Sequence, residues 1–134
     1  MLGLLDRFRR KKKEKINIET KKTITELEQL CGDDRETYEA LYHTMFLDPT
    51  KTGVSMKEAA ENAKKSEKEK DLVKARTWYE IAGSLAIYEG NVKKVVEFFS
   101  ECEKLSPNTK YPILKNPEKA VEKAQEYYKK YLKA

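Results

Sequence analysis

Residues 78–108 read WYEIAGSLAIYEGNVKKVVEFFSECEKLSPN, and they predict two helices joined by a tight turn. Apolar side chains recur every three or four positions on both sides of Gly90, which is the spacing of one face of an α-helix. Gly90 and Asn91 supply a helix stop and a new N-cap, and Pro107 prevents the second helix from continuing. Gly83 lies inside the first helix, where the absence of a side chain lets a partner helix come close. The stretch therefore predicts an antiparallel helix pair.

The composition of the whole chain is typical of helices with solvated faces. Of 134 residues, 39% are hydrophobic and 38% are charged, whereas roughly a quarter of the residues are charged in an average globular domain. Five Gly and four Pro are present, and no long alternation of Val, Ile and Thr with polar residues suggests a sheet. We therefore expect an all-α protein in which residues 1–22 form an N-terminal tail and residues 23–134 form a single helical domain.

The net charge of +5 is confined to the tail. Residues 1–22 hold nine Lys or Arg and three Asp or Glu, and the rest of the chain holds 19 basic and 20 acidic residues. Because the predicted domain is close to neutral, the basic character of the chain does not indicate a nucleic-acid-binding face on the domain.

Punctuation signals upstream of residue 55 predict two more helices. Gly32 can close a first helix, and a second begins near Asp33 or Asp34 and must stop around Asp48-Pro49. One stripe of this second helix carries Tyr38, Leu41, Tyr42, Met45 and Phe46. The following DPTKTGVS is predicted to be a loop, and it lacks the glycine spacing and the preceding strand of a phosphate-binding loop.

A capping box formed by Ser55 and Glu58 opens the helix that precedes the quoted stretch. The polar residues 66–71 predict a break near Lys68 to Asp71, although one uninterrupted helix over residues 56–89 also fits because this region lacks Gly and Pro. We expect the break, and therefore one helix before Lys68 and a second helix after Asp71.

Residues 76–109 resemble a tetratricopeptide (TPR) repeat over the full length of that motif. The positions that carry the resemblance are Tyr79, Gly83, Gly90, Phe99, Pro107 and Asn108. Three positions depart from the family pattern: Ala82 stands for Leu, Ala86 for an aromatic residue and Val95 for Ala. A fainter version of the pattern extends over residues 55–133, and a generic antiparallel helical bundle is the alternative to a short TPR-like α-solenoid.

The resemblance implies a binding groove lined by the first helix of the pair. The residues that it places there are Thr77, Glu80, Ser84, Ile87 and Tyr88. Glu80 and Ser84 are not the Lys and Asn of the family's carboxylate clamp, so recognition of an acidic chaperone C-terminus is not expected. Because one repeat cannot bury its own apolar face, a C-terminal helix at residues 117–133, capped by Asn116, is expected to close the stack.

The residues needed for catalysis are scarce. His43 is the single histidine, Cys31 and Cys102 lie in apolar helical patterns, and no His or Cys cluster has the spacing of a metal site. We therefore expect a non-enzymatic adaptor that binds a protein or peptide partner and needs neither a cofactor nor a metal.

The first fourteen residues, MLGLLDRFRRKKKE, place a short apolar face before a basic run. The segment is too short to span a bilayer, and the order of its charge and apolar parts is the reverse of a secretory signal. It fits a cytoplasmic protein held peripherally at an anionic membrane surface. A disordered solubilising terminus and sequence-blind phosphate contacts with nucleic acid are the alternatives. The residues expected at an anionic surface are Leu4, Leu5, Arg7, Phe8, Arg9, Arg10, Lys11, Lys12 and Lys13.

Overall fold

The computed structural model describes residues 26–132, and this part of the chain is helical and contains no strand. The all-α prediction is therefore confirmed for these residues. The helices are α1 (residues 26–31), α2 (Arg35–Tyr42), α3 (Pro49–Thr52), α4 (Met56–Lys68), α5 (Leu72–Glu89), α6 (Val92–Leu105) and α7 (Pro117–Tyr127). A 3₁₀ turn at Pro112–Leu114 precedes α7, and a π-helical turn at Tyr128–Leu132 follows it.

Helix α5 is the centre of the fold. It packs along α4 on one side and along α6 on the other, and α7 contacts both α5 and α6. The connections on either side of α5 are short, so α4, α5 and α6 run antiparallel to their neighbours. Side chains that point in different directions from its C-terminal half, including Leu85, Ala86 and Ile87, are all buried. An amphipathic helix has one buried face, whereas residues 82–87 of α5 are buried on every side of the helix.

The break between α4 and α5 is confirmed, and a left-handed residue makes it. Lys70 has φ of +61°, and its N–H donates to the carbonyl of Glu67 while the N–H of Asp71 donates to the carbonyl of Ser66. This pair of hydrogen bonds is a Schellman motif, which usually has glycine at the left-handed position. The side chain of Asp71 then accepts from the N–H of Lys74 and caps α5.

Other predicted helix signals are confirmed as well. The Ser55 hydroxyl accepts from the N–H of Glu58 at 3.1 Å, and Asn91 caps α6. Asn116 caps α7, whose first residue is Pro117. These caps fix where the chain turns, and thereby fix which helices become neighbours.

The predicted continuation of the second helix to Asp48 is wrong, because α2 ends at Tyr42. The hydroxyl and the N–H of Thr44 both bond to the carbonyl of Leu41, which closes the last turn. Residues 43–48 are not helical, and we call them the covering segment. The prediction that residues 48–55 form a loop is also wrong in part, since Asp48 caps one further helical turn, α3, at Pro49–Thr52.

The covering segment and the helices before it lie against α5 and α7. Helix α1 is tied to α7 by the hydrogen bond from the Tyr127 hydroxyl to Glu26, at 3.0 Å, and α2 packs against α7 and the 3₁₀ turn. Helix α7 therefore lies between the α5–α6 pair and the α1–α2 pair, whereas the sequence placed it at the end of the stack. The inner curve expected from the sequence is covered over the C-terminal half of α5.

Candidate functional site

The five residues predicted to line a groove all lie on α5, but they differ in exposure. Thr77 is exposed, Glu80 and Tyr88 are half-buried, and Ser84 and Ile87 are fully buried. Their spacing places them on neighbouring parts of one side of the helix. The side of α5 that the sequence singled out is thus divided into an open half near its N-terminus and a covered half near its C-terminus.

The covering segment lies on the covered half through its own main chain. The N–H of Met45 donates to the hydroxyl of Ser84 at 3.4 Å, and the hydroxyl of Tyr128 donates to the carbonyl of Leu47 at 2.8 Å. A tyrosine hydroxyl is protonated at neutral pH and can donate, and burial raises the pKa of Tyr128 further above its usual value. Residues 45 and 47 are therefore held at either side of Phe46.

Phe46 is the anchor of the covering segment. Its ring centroid lies 4.4 Å from that of Tyr127, at the short end of the distances favoured by aromatic pairs, and 5.5 Å from that of Tyr128, within those distances. Tyr128 in turn meets Tyr88 edge-on at 5.0 Å. This contact chain explains why Tyr88, expected in an open groove, is half-buried.

The C-terminal end of α5 is held by a side chain of α7. Gln125 Nε2 donates to the carbonyl oxygens of both Ile87 and Tyr88. The last carbonyls of a helix lack the usual N–H partner four residues on. The carbonyl of Ile87 also accepts from the N–H of Gly90 at 3.0 Å, so Gln125 adds a second donor there and supplies one to the carbonyl of Tyr88. The same contact fixes α7 across the end of α5, above the buried side chain of Ile87.

The open half of this side of α5 begins with apolar side chains. Val73 is 72% exposed and Leu72 is 49% exposed. Val73 and Thr77 lie one turn apart, and Ser84 continues the same stripe two turns further on. The open half and the covered half therefore form one continuous strip along α5.

Glu80, between the two halves, is already engaged within the fold. It accepts a hydrogen bond of 2.6 Å from the Tyr111 hydroxyl and pairs with Arg76 at 3.6 Å. Burial, and next the hydrogen bond to Glu80, raise the pKa of Tyr111. Arg76 also donates to the hydroxyl of Ser106, so these groups fasten the loop after α6 to α5.

The two cysteines and the histidine lie in different environments. Burial raises the pKa of Cys102 to about 12, and the thiol lies against the carbonyl of Arg76. Cys31 is also buried, and burial raises its pKa. His43 is exposed and meets the ring of Tyr42 edge-on. Within residues 26–132 no cluster of His, Cys, Asp and Glu could hold a metal ion.

Sequence reasoning missed the residues that complete this site. Met45, Phe46 and Leu47 were assigned to a helix that ends before them, and Gln125 was not singled out. Thr44 gave one usable signal, because a hydroxyl that bonds back to the preceding turn is a common helix-ending device. The partner of Gln125 lies 38 residues away, and no local pattern points to it.

The predicted surface-binding residues of the tail, from Leu4 to Lys13, lie outside the described residues. Among residues 26–132, no helix combines the length and the apolar character that crossing a bilayer requires. Comparison of the chain with protein-family models, with curated proteins and with solved structures gave no match.

Proposed function

We propose that this protein is a non-enzymatic interaction module in which TPR-like helix pairs present the α5 side to a protein or peptide partner. Two observations support a TPR-like pairing of α5 and α6. Gly83 lies directly against the ring of Phe99, and Gly90 turns the chain with φ of +72°. These are the positions at which the sequence resembles the repeat, and each carries the physical role expected of it.

The observation that carries the proposal is the open half of the α5 strip. Val73 is largely exposed beside Leu72 and Thr77, whereas the continuation of the same strip is buried under other parts of the chain. Apolar side chains at the open end of an otherwise covered strip lose solvent contact when a partner docks there, and this favours association. The partner is expected to meet Val73 and Thr77 first.

Site-specific photocrosslinking in native extract tests this proposal. A photoreactive phenylalanine analogue at Thr77 is expected to give a defined adduct with the partner. The same analogue at Glu97, which is exposed on α6, is the control and is expected to give none. Val73→Asp should abolish the Thr77 adduct, because a carboxylate at the contact must be desolvated. The same adduct from both positions, or one that Val73→Asp leaves unchanged, would refute the open half as the binding surface.

We further propose that the tail recruits this module to the cytoplasmic surface of a membrane. The support is the sequence alone: Leu4 and Leu5 precede the basic run from Arg7 to Lys15, and Phe8 lies within it. The alternative is contact of the same basic residues with nucleic-acid phosphates.

The two proposals for the tail differ in their need for apolar side chains. Leu4→Asp with Phe8→Asp should abolish flotation with anionic liposomes, because interfacial binding needs apolar insertion. If the basic run binds nucleic acid, replacing Arg9 to Lys13 by Ser should remove salt-sensitive retention on immobilised nucleic acid. Equal flotation of the aspartate variant and the unchanged protein would reject membrane insertion.

A further inference from the structure

The covered half of the α5 strip has the properties of a peptide site that the chain itself occupies. Building on the proposed function, we infer that the surface formed by Ser84, Tyr127 and Tyr128 binds a non-helical partner peptide with an aromatic residue between apolar neighbours. The covering segment, residues 43–48, competes with that peptide for the same surface.

The contacts made by the covering segment could be made by many sequences. Both of its hydrogen bonds to this surface use main-chain atoms, namely the N–H of Met45 and the carbonyl of Leu47. Every peptide of L-residues other than proline carries the same two groups. The side chain that selects is Phe46, whose ring packs on Tyr127 and Tyr128. The surface therefore selects a peptide by one aromatic side chain and by the path of its main chain, and not by its other side chains.

The covering segment fills this surface incompletely. A cavity of about 140 Å³ remains beside Phe46, and its other lining residues are Asp48, Lys51, Tyr88, Tyr128 and Leu132. The Met45 hydrogen bond, at 3.4 Å, is longer than a typical N–H···O contact. An external peptide with a bulkier residue at this point has room to pack better than the internal one.

Residues 45–47, the middle of the covering segment, can leave while Thr44 and Asp48 stay in place at the ends of the neighbouring helices. Helix α2 is closed by Thr44, and α3 is capped by Asp48, so the hydrogen bonds of each helix end do not depend on the contacts of Phe46. The covering segment joins these two ends as a non-helical link. Displacement therefore costs mainly the aromatic contacts and the two main-chain hydrogen bonds.

The contacts also fix the direction in which the partner runs. Met45 lies at Ser84, and Leu47 lies at Tyr128, which touches Tyr88 one turn further along α5. A peptide with this path runs in the same direction as α5. Val73 precedes Ser84 by roughly 16 Å along the helix axis, a distance spanned by about five extended residues. The part of the partner before its aromatic residue therefore reaches the open half, where the covering segment instead turns away into α2.

A competition experiment with the full chain tests this inference. The probe is a fluorescent synthetic peptide with the sequence of residues 43–48, and the readout is its anisotropy. Phe46→Ala in the protein removes the internal anchor and should tighten probe binding about tenfold or more. The apparent Kd of the probe equals its intrinsic Kd divided by the fraction of protein molecules in which the covering segment has left the site, and the substitution raises that fraction. Phe98→Ala is the control, because it removes a buried ring of α6 that packs on Tyr79. It should leave the affinity unchanged.

Two further arms keep the result decisive. A probe with alanine in place of its phenylalanine should not bind. A five-residue extension that begins with leucine should tighten binding when it is added to the N-terminus of the probe, and should not do so when it is added to the C-terminus. If Phe46→Ala does not fold, Phe46→Leu replaces it, and saturating probe should shift the NMR signals of Ser84 and Tyr128 in the unchanged protein.

Equal probe affinity for Phe46→Ala and the unchanged protein would overturn the inference. Equal tightening by Phe98→Ala, or unshifted Ser84 and Tyr128 signals, would also overturn it. The proposed function would survive such a failure if the Thr77 photocrosslink still formed, because that contact lies in the open half.

Discussion

The ring of Phe99 occupies the space in which a side chain at position 83 would have to begin. A Cβ atom built on Gly83 would lie 2.7 Å from Cε2 and 2.9 Å from Cζ of Phe99, closer than real Cβ contacts come. Phe99 is almost fully buried, so the ring has little room to retreat. The distance between α5 and α6 is therefore set by the absence of a side chain at this position.

Gly83→Ala should destabilise the protein even though alanine is the better helix former. We expect a net loss of up to about 2 kcal/mol, because overpacking in a filled core typically costs 1–3 kcal/mol and the gain in helix propensity offsets about 1 kcal/mol. Urea denaturation measures the loss. Thr77→Ala, on the exposed side of the same helix, is the control and should change stability little. A Gly83→Ala protein as stable as the unchanged one would show that α6 can shift.

Lys70→Gly should stabilise the protein. A residue with a Cβ pays roughly 1–2 kcal/mol for the left-handed conformation, and glycine returns about 0.5–1 kcal/mol of this through its larger unfolded-state entropy. The expected net gain is about 0.5–1 kcal/mol, measured as a higher urea midpoint with an unchanged slope. Glu69→Gly is the matched control, since Glu69 has φ of −80° and glycine there should destabilise. A loss of stability on Lys70→Gly would contradict the left-handed turn.

Gln125→Leu should destabilise the protein by about 1–2 kcal/mol, because it removes both hydrogen bonds to the end of α5 while keeping the side-chain volume. Gln125→Glu should cost more, since a carboxylate would face the carbonyls of Ile87 and Tyr88. The same leucine substitution at Gln29, which is exposed on α1, is the control. Thermal unfolding of the three variants measures these changes. If leucine lowers stability equally at positions 29 and 125, Gln125 does not cap α5.

Asp34 should make stability depend on pH in the acid range. Its carboxylate accepts from the hydroxyl and the N–H of Thr37 and pairs with Lys119 at 2.9 Å. The hydrogen bond from the Thr37 hydroxyl, and next the contact with Lys119, lower its pKa from 3.8 to about 2. Because the pKa is lower in the folded state, this stabilisation is present above the unfolded pKa and is lost as the pH falls toward 2.

Asp34→Asn keeps a capping oxygen and removes the charge. The stability difference between the unchanged protein and this variant should therefore be largest near neutral pH and should shrink between about pH 5 and pH 2. Denaturation curves at several pH values measure it. Asp33→Asn, at an exposed neighbouring position, is the control. A difference that stays constant over this range would mean that the Asp34 charge does not stabilise the fold.

Many of the helix ends were predictable from the sequence, although the end of α2 and the helical turn α3 were not. Ser55, Gly90, Asn91 and Pro117 act through residues within four positions of themselves, so the helix ends that they make are visible in the sequence. Lys70 shows the limit of such rules. The break near it was expected from polarity alone, because the left-handed position carries no glycine.

The candidate site was predictable only in part. The sequence identified the side of α5 that carries Thr77 and Ser84, since periodicity defines a helix face. It could not show that Met45 lies on Ser84, because the contact joins residues 39 positions apart and depends on an early end of α2. Phe46 fitted a helical stripe equally well, and only packing against Tyr127 and Tyr128 distinguishes the two arrangements.

The contact between Glu26 and Tyr127 has a consequence for how the protein unfolds. Repeat arrays with free ends can lose their terminal units one at a time, since each unit touches only its neighbours. Here the first and the last described α-helices are fastened to each other across 101 residues of chain. Fraying from either terminus must therefore break this closure first, and residues 26–132 are expected to melt in one cooperative step.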